Sequence, residues 1–289
     1  PQNTDGMLYA KNPLIREEIA PNYTQSDLVK MAKGQVKLVF ASLYPIEQGF
    51  MKIKGSEGDL ADDVIKIMTS FPKERINQIQ SEDHSYFDDL KSELALLESQ
   101  NNQVLSSKGL SKPITYKIVR NFQELKNFLG LTDDLSIPQS SDYDNKIAVI
   151  LTIEGAHSLF PKTTEGISEK ILDDMSNPQT IELFNSIKDH IDWVKSEGVF
   201  SITFAHHFYN LLAGNSISFT KLIDSMLDQG NYSKLAFTQL GQAVIQEMMK
   251  TENGKRSLII DVKHLSVPSR KWFYDQAFTK NVPVICSHT

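Results

Sequence analysis

The chain has almost no cysteine. Cys286 is the single one in 289 residues, so no disulfide can close within the chain, and its setting in an apolar run predicts a buried small hydrophobe rather than a reactive thiol. No run of about 18 or more apolar residues occurs, which excludes a membrane-spanning helix by length. Lysine and arginine form no dense block, and the formal net charge is -6; together these argue against a nucleic-acid partner, because nothing could track a row of phosphates. No low-complexity linker divides the chain, so residues 1–289 read as a single domain. The opening Pro1-Gln-Asn-Thr4 lacks both a methionine and a signal-peptide pattern, which predicts a processed or cut amino terminus. The composition leaves the compartment undecided, cytoplasmic and exported alike.

What the chain does have is hydrophobic residues at 40%, enough to bury a large core, and a repeated alternation of strand and helix patterns. Ser26 to Lys33 reads as a helix stopped by Gly34, and Lys37 to Tyr44 reads as a strand ended by Pro45. Residues 57–107 read as helical, with Phe87, Leu90, Leu94 and Leu97 on one face. Ile114 to Val119 is a strand, and Asn121 with Glu124 resembles a capping box opening the next helix. Ile181, Phe184, Ile187, Ile191 and Val194 share one helical face, and so do Phe237, Leu240, Val244 and Met248. Trp193 and Trp272 fall on helix faces as core residues. The alternation predicts an α/β fold with a parallel sheet, doubly wound or barrel, carrying helical insertions near 57–107, 160–180 and 213–233.

Four strand-like runs stop on a residue that can bind a metal or move a proton: Ile147 to Glu154, Val199 to His206, Ser257 to His264 and Pro283 to His288. The carboxyl ends of parallel strands meet in one crevice, so these four residues are expected to converge. His264 and His288 are 24 residues apart, the length of one strand-helix-strand step, which puts them on neighbouring strand ends about 4.8 Å apart. With Glu154, before the turn at Gly155, they have the composition of a two-histidine, one-carboxylate zinc site. A lone strand-end histidine is more often a hydrogen-bonded core or loop residue, and only the recurrence balances that plainer reading. Of the adjacent His206 and His207, strand alternation lets just one face the site. His157 is expected at the surface or in support of Glu154, and His84 and His190 on solvent-facing helical stretches. Asp261, in mid-strand with the opposite phase to His264, is discounted as a ligand.

In order and spacing, Thr152-Ile-Glu-Gly-Ala-His-Ser158, Ser201-Ile-Thr-Phe-Ala-His206 with Asn210 nearby, Ile260-Asp-Val-Lys-His-Leu-Ser266 and Pro283-Val-Ile-Cys-Ser-His288 resemble signature segments of the membrane (renal) dipeptidase family. The resemblance covers residues 147–289 well and residues 24–50 more weakly. It implies a TIM-type (β/α)8 barrel and a metal-dependent hydrolase that cleaves the amide bond of dipeptides by a zinc-activated hydroxide. Glu154 then resembles the carboxylate bridging two zinc ions, His264 and His288 resemble the remaining ligands of one zinc, and His206 and Asn210 resemble substrate contacts, with His206 also catalytic. A homodimer is a further implication of the family.

The departures from the family pattern matter as much. No His-x-Asp or His-x-His pair is present to hold the other zinc: Asp5-Gly-Met-Leu-Tyr9 has no histidine, and His84-Ser-Tyr86 lies in a helical stretch. The family's substrate-carboxylate arginine and late aspartate would follow His288, yet the sequence given stops at Thr289. Two accounts fit. The chain is a piece of a longer barrel, lacking the first strand and the last two, or it is a catalytically inactive homologue acting as a binding protein. The survival of four internal motifs favours the first.

Overall fold

The computed structural model describes residues 27–55, 58–69, 71–106, 111–136, 145–161, 168–251 and 256–288. The lead 1–23, with Asp5 to Tyr9, and Thr289 lie outside the described residues, as does part of the insertion near 160–180. Asp27 caps helix α1 (Leu28–Lys33) by accepting from the Lys30 N–H at 2.8 Å. The helix stops at Gly34 as its sequence predicts, but Gly34 keeps φ -79° and Gln35 makes the left-handed turn at φ 56°. Strand β1 (Leu38–Leu43) follows. The stretch expected to be helical resolves into α2 (Asp59–Thr69), α3 (Lys73–Gln80) and α4 (Tyr86–Glu98), and it ends in a short strand, β2 (Val104–Leu105). Helix α4 turns Phe87, Leu90 and Leu94 into the main core with Leu97 packed at its margin, whereas α2 and α3 enclose a separate apolar cluster of Met51, Ile65, Ile76 and Ile79.

Strand β3 (Ile114–Ile118) leads into α5 (Phe122–Leu129). Asn121 caps α5 through the Glu124 N–H, but the Glu124 carboxylate reaches back to the Arg120 N–H instead of that of Asn121, one residue earlier than a capping box would have it. Then come β4 (Lys146–Glu154), α6 (Glu169–Leu172), the long α7 (Pro178–Ser196), β5 (Ser201–Thr203), α8 (Lys221–Met226), α9 (Gln239–Met249), β6 (Ile259–Asp261), α10 (Val267–Lys280) and β7 (Val284–Ile285). In α7 the core face holds Ile187, Ile191 and Val194, while Ile181, expected among them, is exposed and its neighbour Thr180 takes the buried position in the first turn. Trp193 and Trp272 pack against the core as expected.

The sheet is centred on β4, the longest strand at nine residues. Strand β1 runs parallel along one edge of β4, from Leu38 beside Ala148 to Leu43 beside Ile153. The other edge is shared: β3 pairs with its first half and β5 with its last residues, both parallel. From there the sheet continues β5–β6–β7, all parallel, while β2 closes the far edge antiparallel to β3. A strand covered on both edges and both faces should be apolar almost throughout, and Ile147, Ala148, Val149, Leu151, Ile153 of β4 are buried. The architecture is mixed α/β with a parallel sheet. Among the described strands β1 and β7 do not pair with each other, so they do not close a ring.

Helix α9 is seated by an absence of side chain. A Cβ on Gly241 would stand 1.9 Å from the Leu212 carbonyl oxygen, a backbone atom that cannot yield. In an exposed helix Gly→Ala is stabilising, but here overpacking governs the sign. We expect Gly241→Ala to lower unfolding free energy by about 1–3 kcal/mol in chemical denaturation; a stabilised variant would refute the close seating of α9.

Candidate functional site

Because the strands are parallel, the carboxyl ends of β4, β5, β6 and β7 lie on one side of the sheet, and the residues that follow them gather there. Glu154 is the last residue of β4 and is partly buried. After it Gly155 takes φ 92°, and a Cβ at this position would come within 2.2 Å of the His157 ring, so the turn admits only glycine. His264 stands three residues beyond β6 in the left-handed region, at φ 64°. Its carbonyl accepts from the Ser216 N–H at 2.7 Å, which ties this strained residue to the loop before α8. His288, exposed, stands three beyond β7, and its ring lies 5.4 Å from that of His264. One potential ligand atom from each of Glu154, His264 and His288 lies within 4.8 Å of the others.

The donor set suits a cation. Nδ1 of His264 is buried with no hydrogen-bond partner, an arrangement that costs roughly 1–3 kcal/mol when nothing binds there. Burial, then the neighbouring His206, His207 and His288, lowers this imidazole to about 3, so it is neutral and keeps a lone pair. The Ser287 hydroxyl donates to Asp261 and therefore accepts from His288 Nδ1 at 2.8 Å, leaving His288 Nε2 as the ring's free lone pair. Glu154 is held below the ordinary carboxylate value, chiefly by its interaction with His206.

His206 lies between two carboxylates. Its Nδ1 is 2.6 Å from Glu47 Oε2 and its Nε2 is 3.5 Å from Glu154 Oε1. Burial alone would depress this ring, but the hydrogen bonds to Glu154 and Glu47 and their charges outweigh it and push it up to about 9. Glu47 was not singled out by the sequence; its one local signal is its place just past Pro45, at the carboxyl end of β1. Tyr44 completes the group by donating its hydroxyl to Glu47 at 3.0 Å, and the Tyr44 N–H is in turn held by Glu93 at 2.6 Å. A cavity of about 390 Å³ opens beside Glu47, lined also by Gln48, Tyr86, His157, Asn210 and Tyr232.

Several expectations change. His206 and His207 do not take opposite faces: the β5 ladder ends at Thr203, alternation lapses, and both rings lie about 5 Å from His264, at 5.0 and 5.1 Å. His207 is pinned through Nδ1 to the Ser218 hydroxyl at 2.7 Å. Asn210 spends its side chain on backbone, donating to the Phe204 carbonyl and accepting from the Leu212 and Ala213 N–H groups. His157 is buried, with Nε2 2.8 Å from the Pro45 carbonyl. His84 is buried too, 3.4 Å from Asp89, while His190 is half-buried, stacked on Phe87 at 3.5 Å with its Nδ1 2.7 Å from the Leu159 carbonyl. Cys286, expected in the core, is exposed because β7 has hydrogen-bonded to β6 for two residues and ended before it. Of the insertion 213–233, only Lys221–Met226 is helical.

Asp261 is discounted as a ligand on phase, and the structure gives it other work. Buried at the end of β6, it accepts from Thr203 Oγ1, from the Lys263 N–H and from both the N–H and the hydroxyl of Ser287. One carboxylate thus holds the ends of β5, β6 and β7 in register.

No family model matches the chain, and no curated protein matches it. Among solved structures, the crystal structure of the probable dipeptidase PvdM from Pseudomonas aeruginosa is similar at 15% identity with a TM-score of 0.46, over 96% of this chain and 50% of that one. The chain spans half the length of that structure.

Asp261→Asn should lose about 2 kcal/mol of stability, since the amide would point its own N–H at a donor; wild-type denaturation would show that the carboxylate does not clamp the strand ends. Glu93 tests the other flank. Burial raises it from 4.5 to about 7, so its stabilising share is complete below pH 4.5 and is lost as pH rises through 7. Glu93→Gln keeps the acceptor for Tyr44 without the charge. Its melting temperature relative to wild type should therefore rise between those pH values, to a gain on the order of 2 kcal/mol above pH 7, and a gain independent of pH would refute the burial argument.

Proposed function

We propose that this chain carries a metal site of a zinc-dependent hydrolase that cleaves the amide bond of dipeptides, with Glu154, His264 and His288 as ligands and His206 as the catalytic side chain. The observation that carries the reading is the convergence of those three ligand atoms within 4.8 Å of one another, from three strand ends 134 residues apart in sequence (288 minus 154), beside a histidine fixed between two carboxylates. The resemblance of the four segments to the membrane dipeptidase signatures supports the substrate class. The parallel run of strands with intervening helices is what an arc of a (β/α)8 barrel would supply.

A zinc ion held there would supply Lewis acidity and a bound water acidic enough to react near neutral pH. The protein's own residues divide the remaining tasks. Glu154, the neutral imidazole of His264 and the ring of His288 would hold the ion. His206, its Nδ1 held by Glu47, presents its Nε2 on the Glu154 side, where the imidazolium's N–H can stabilise negative charge building on an acyl oxygen. Such a preorganised donor is worth about 3 kcal/mol when its partner oxygen develops charge in a dry site. Asn210 shapes the loop that follows β5.

Metal content and turnover test this together in the full-length protein. His264→Gly removes the imidazole and leaves the left-handed backbone available, and Glu154→Gln keeps the side chain's shape. Both are expected to lose bound zinc by elemental analysis and to lower kcat/KM on a dipeptide panel at least about a hundredfold, with chelation abolishing and zinc restoring the wild-type rate. Unchanged zinc in both variants would reject the site.

A further inference from the structure

One buried carboxylate beside the site, Glu47, is left without a task by the hydrolase reading. Glu47 is 3% exposed, on the loop after β1, 159 residues before His206. Its Oε2 lies 2.6 Å from His206 Nδ1 and accepts from the Tyr44 hydroxyl at 3.0 Å, and its Oε1 accepts from the Phe208 N–H at 2.9 Å. Burial works to raise this carboxyl, but the hydrogen bond from His206 and the charges of His157 and His206 take it down to about 2. It is therefore ionised and can only accept, so the hydrogen in the contact with His206 belongs to Nδ1. The other ring nitrogen is then the one turned to Glu154. The Tyr44 ring packs edge-on against the imidazole at 4.7 Å and the His207 ring lies 4.1 Å away, so the imidazole is bounded on its faces as well as at its Nδ1 edge.

A buried carboxylate with three partners could be scaffolding alone. Two features say more. The same carboxylate holds both His206 and the backbone two residues later, at Phe208, so it fixes the turn that carries the ring along with the ring. And it comes from the loop after β1, the strand on the opposite edge of β4 from β5, so that Glu47 and Glu154 meet His206 from the ends of two different strands.

We propose that Glu47 is the positioning residue for His206: it holds the imidazole with Nδ1–H directed inward and Nε2 directed to the Glu154 side, ready to act on a substrate there. The catalytic part of this rests on the hydrolase reading above; the positioning part stands on the contacts themselves. Tyr44 is the residue that keeps Glu47 in place.

The test combines nitrogen NMR of the full-length protein labelled with ¹⁵N-histidine and steady-state kinetics. In the wild-type protein His206 should show a low-field, exchange-protected Nδ1–H proton, as a ring N–H held by a carboxylate does. Glu47→Gln, which has one acceptor oxygen for three donors, should lose that proton and lower kcat for a dipeptide about 10- to 100-fold with KM within about twofold. Absence of the proton in the wild type overturns the proposal without any variant, as does its retention in Glu47→Gln. An unchanged kcat in that variant, measured against an active wild type, overturns it equally. A variant that fails to fold leaves the wild-type proton and Tyr44→Phe, for which a smaller fall in kcat with KM unchanged is expected; an unaltered proton and kcat there count against the arrangement. If the wild-type protein hydrolyses no dipeptide, the hydrolase reading is what fails, and the ring proton by itself decides the positioning.

Discussion

The arrangement of the site depends on a buried carboxylate outside the candidate ligand set, Asp261. Strands β5, β6 and β7 contribute three, three and two residues to the sheet, too few ladder bonds to fix their ends firmly. Asp261 supplies what the ladder lacks, gathering Thr203 from β5 and Ser287 from beyond β7 onto the end of β6. Through the Ser287 hydroxyl its influence reaches His288, whose Nδ1 is oriented while Nε2 is left free. Short strands followed by side-chain clamps are a way of ending a ladder early, which frees the next residues to leave strand geometry. His206, His207, His264 and His288 all stand in such released segments.

Charge balance makes the cluster consistent. The imidazoles of His206, His207 and His264, within about 5 Å of one another, cannot all be protonated, and the environment sorts them. His206, with a carboxylate at each nitrogen, is pushed up to about 9. His207 and His264, half or fully buried and facing that charge, fall to about 4 and about 3, burial being the larger cause in each. One cation thus sits between Glu47 and Glu154, and the neutral rings beside it keep lone pairs. This is the state in which a ring can serve as a ligand and another as a donor, and it arises from which ring each carboxylate reaches.

Much of this was legible in advance wherever the determining interaction is local or periodic. Alternating apolar runs and amphipathic helices announced a parallel sheet; Asn121 and the core faces of α4 and α9 followed from spacing, and Gly155 from its place in a turn. The strand-end rule brought Glu154, His264 and His288 together, because parallel strands share a polarity whatever their final arrangement. The same local rules misplaced His84, which the charged helical stretch around it suggested was solvated; Asp89, on the same stretch, is turned inward against it and against Arg75. They misplaced Cys286 and His207 as well, since both depend on where a ladder stops, and that is settled by the partner strand.

By itself the sequence determined the fold class, the polarity of the sheet and the residue types at the strand ends, since these follow from periodicities of two and 3.6 and from short-range turn chemistry. Only the tertiary structure decided which imidazole carries charge, which carboxylate supports and which could ligate, and that Glu47 and Asp261 belong to the site at all. The reason is range. A side-chain hydrogen bond acts over about 3 Å in space with no relation to separation along the chain, so a partner 159 residues away has no pattern by which to be read.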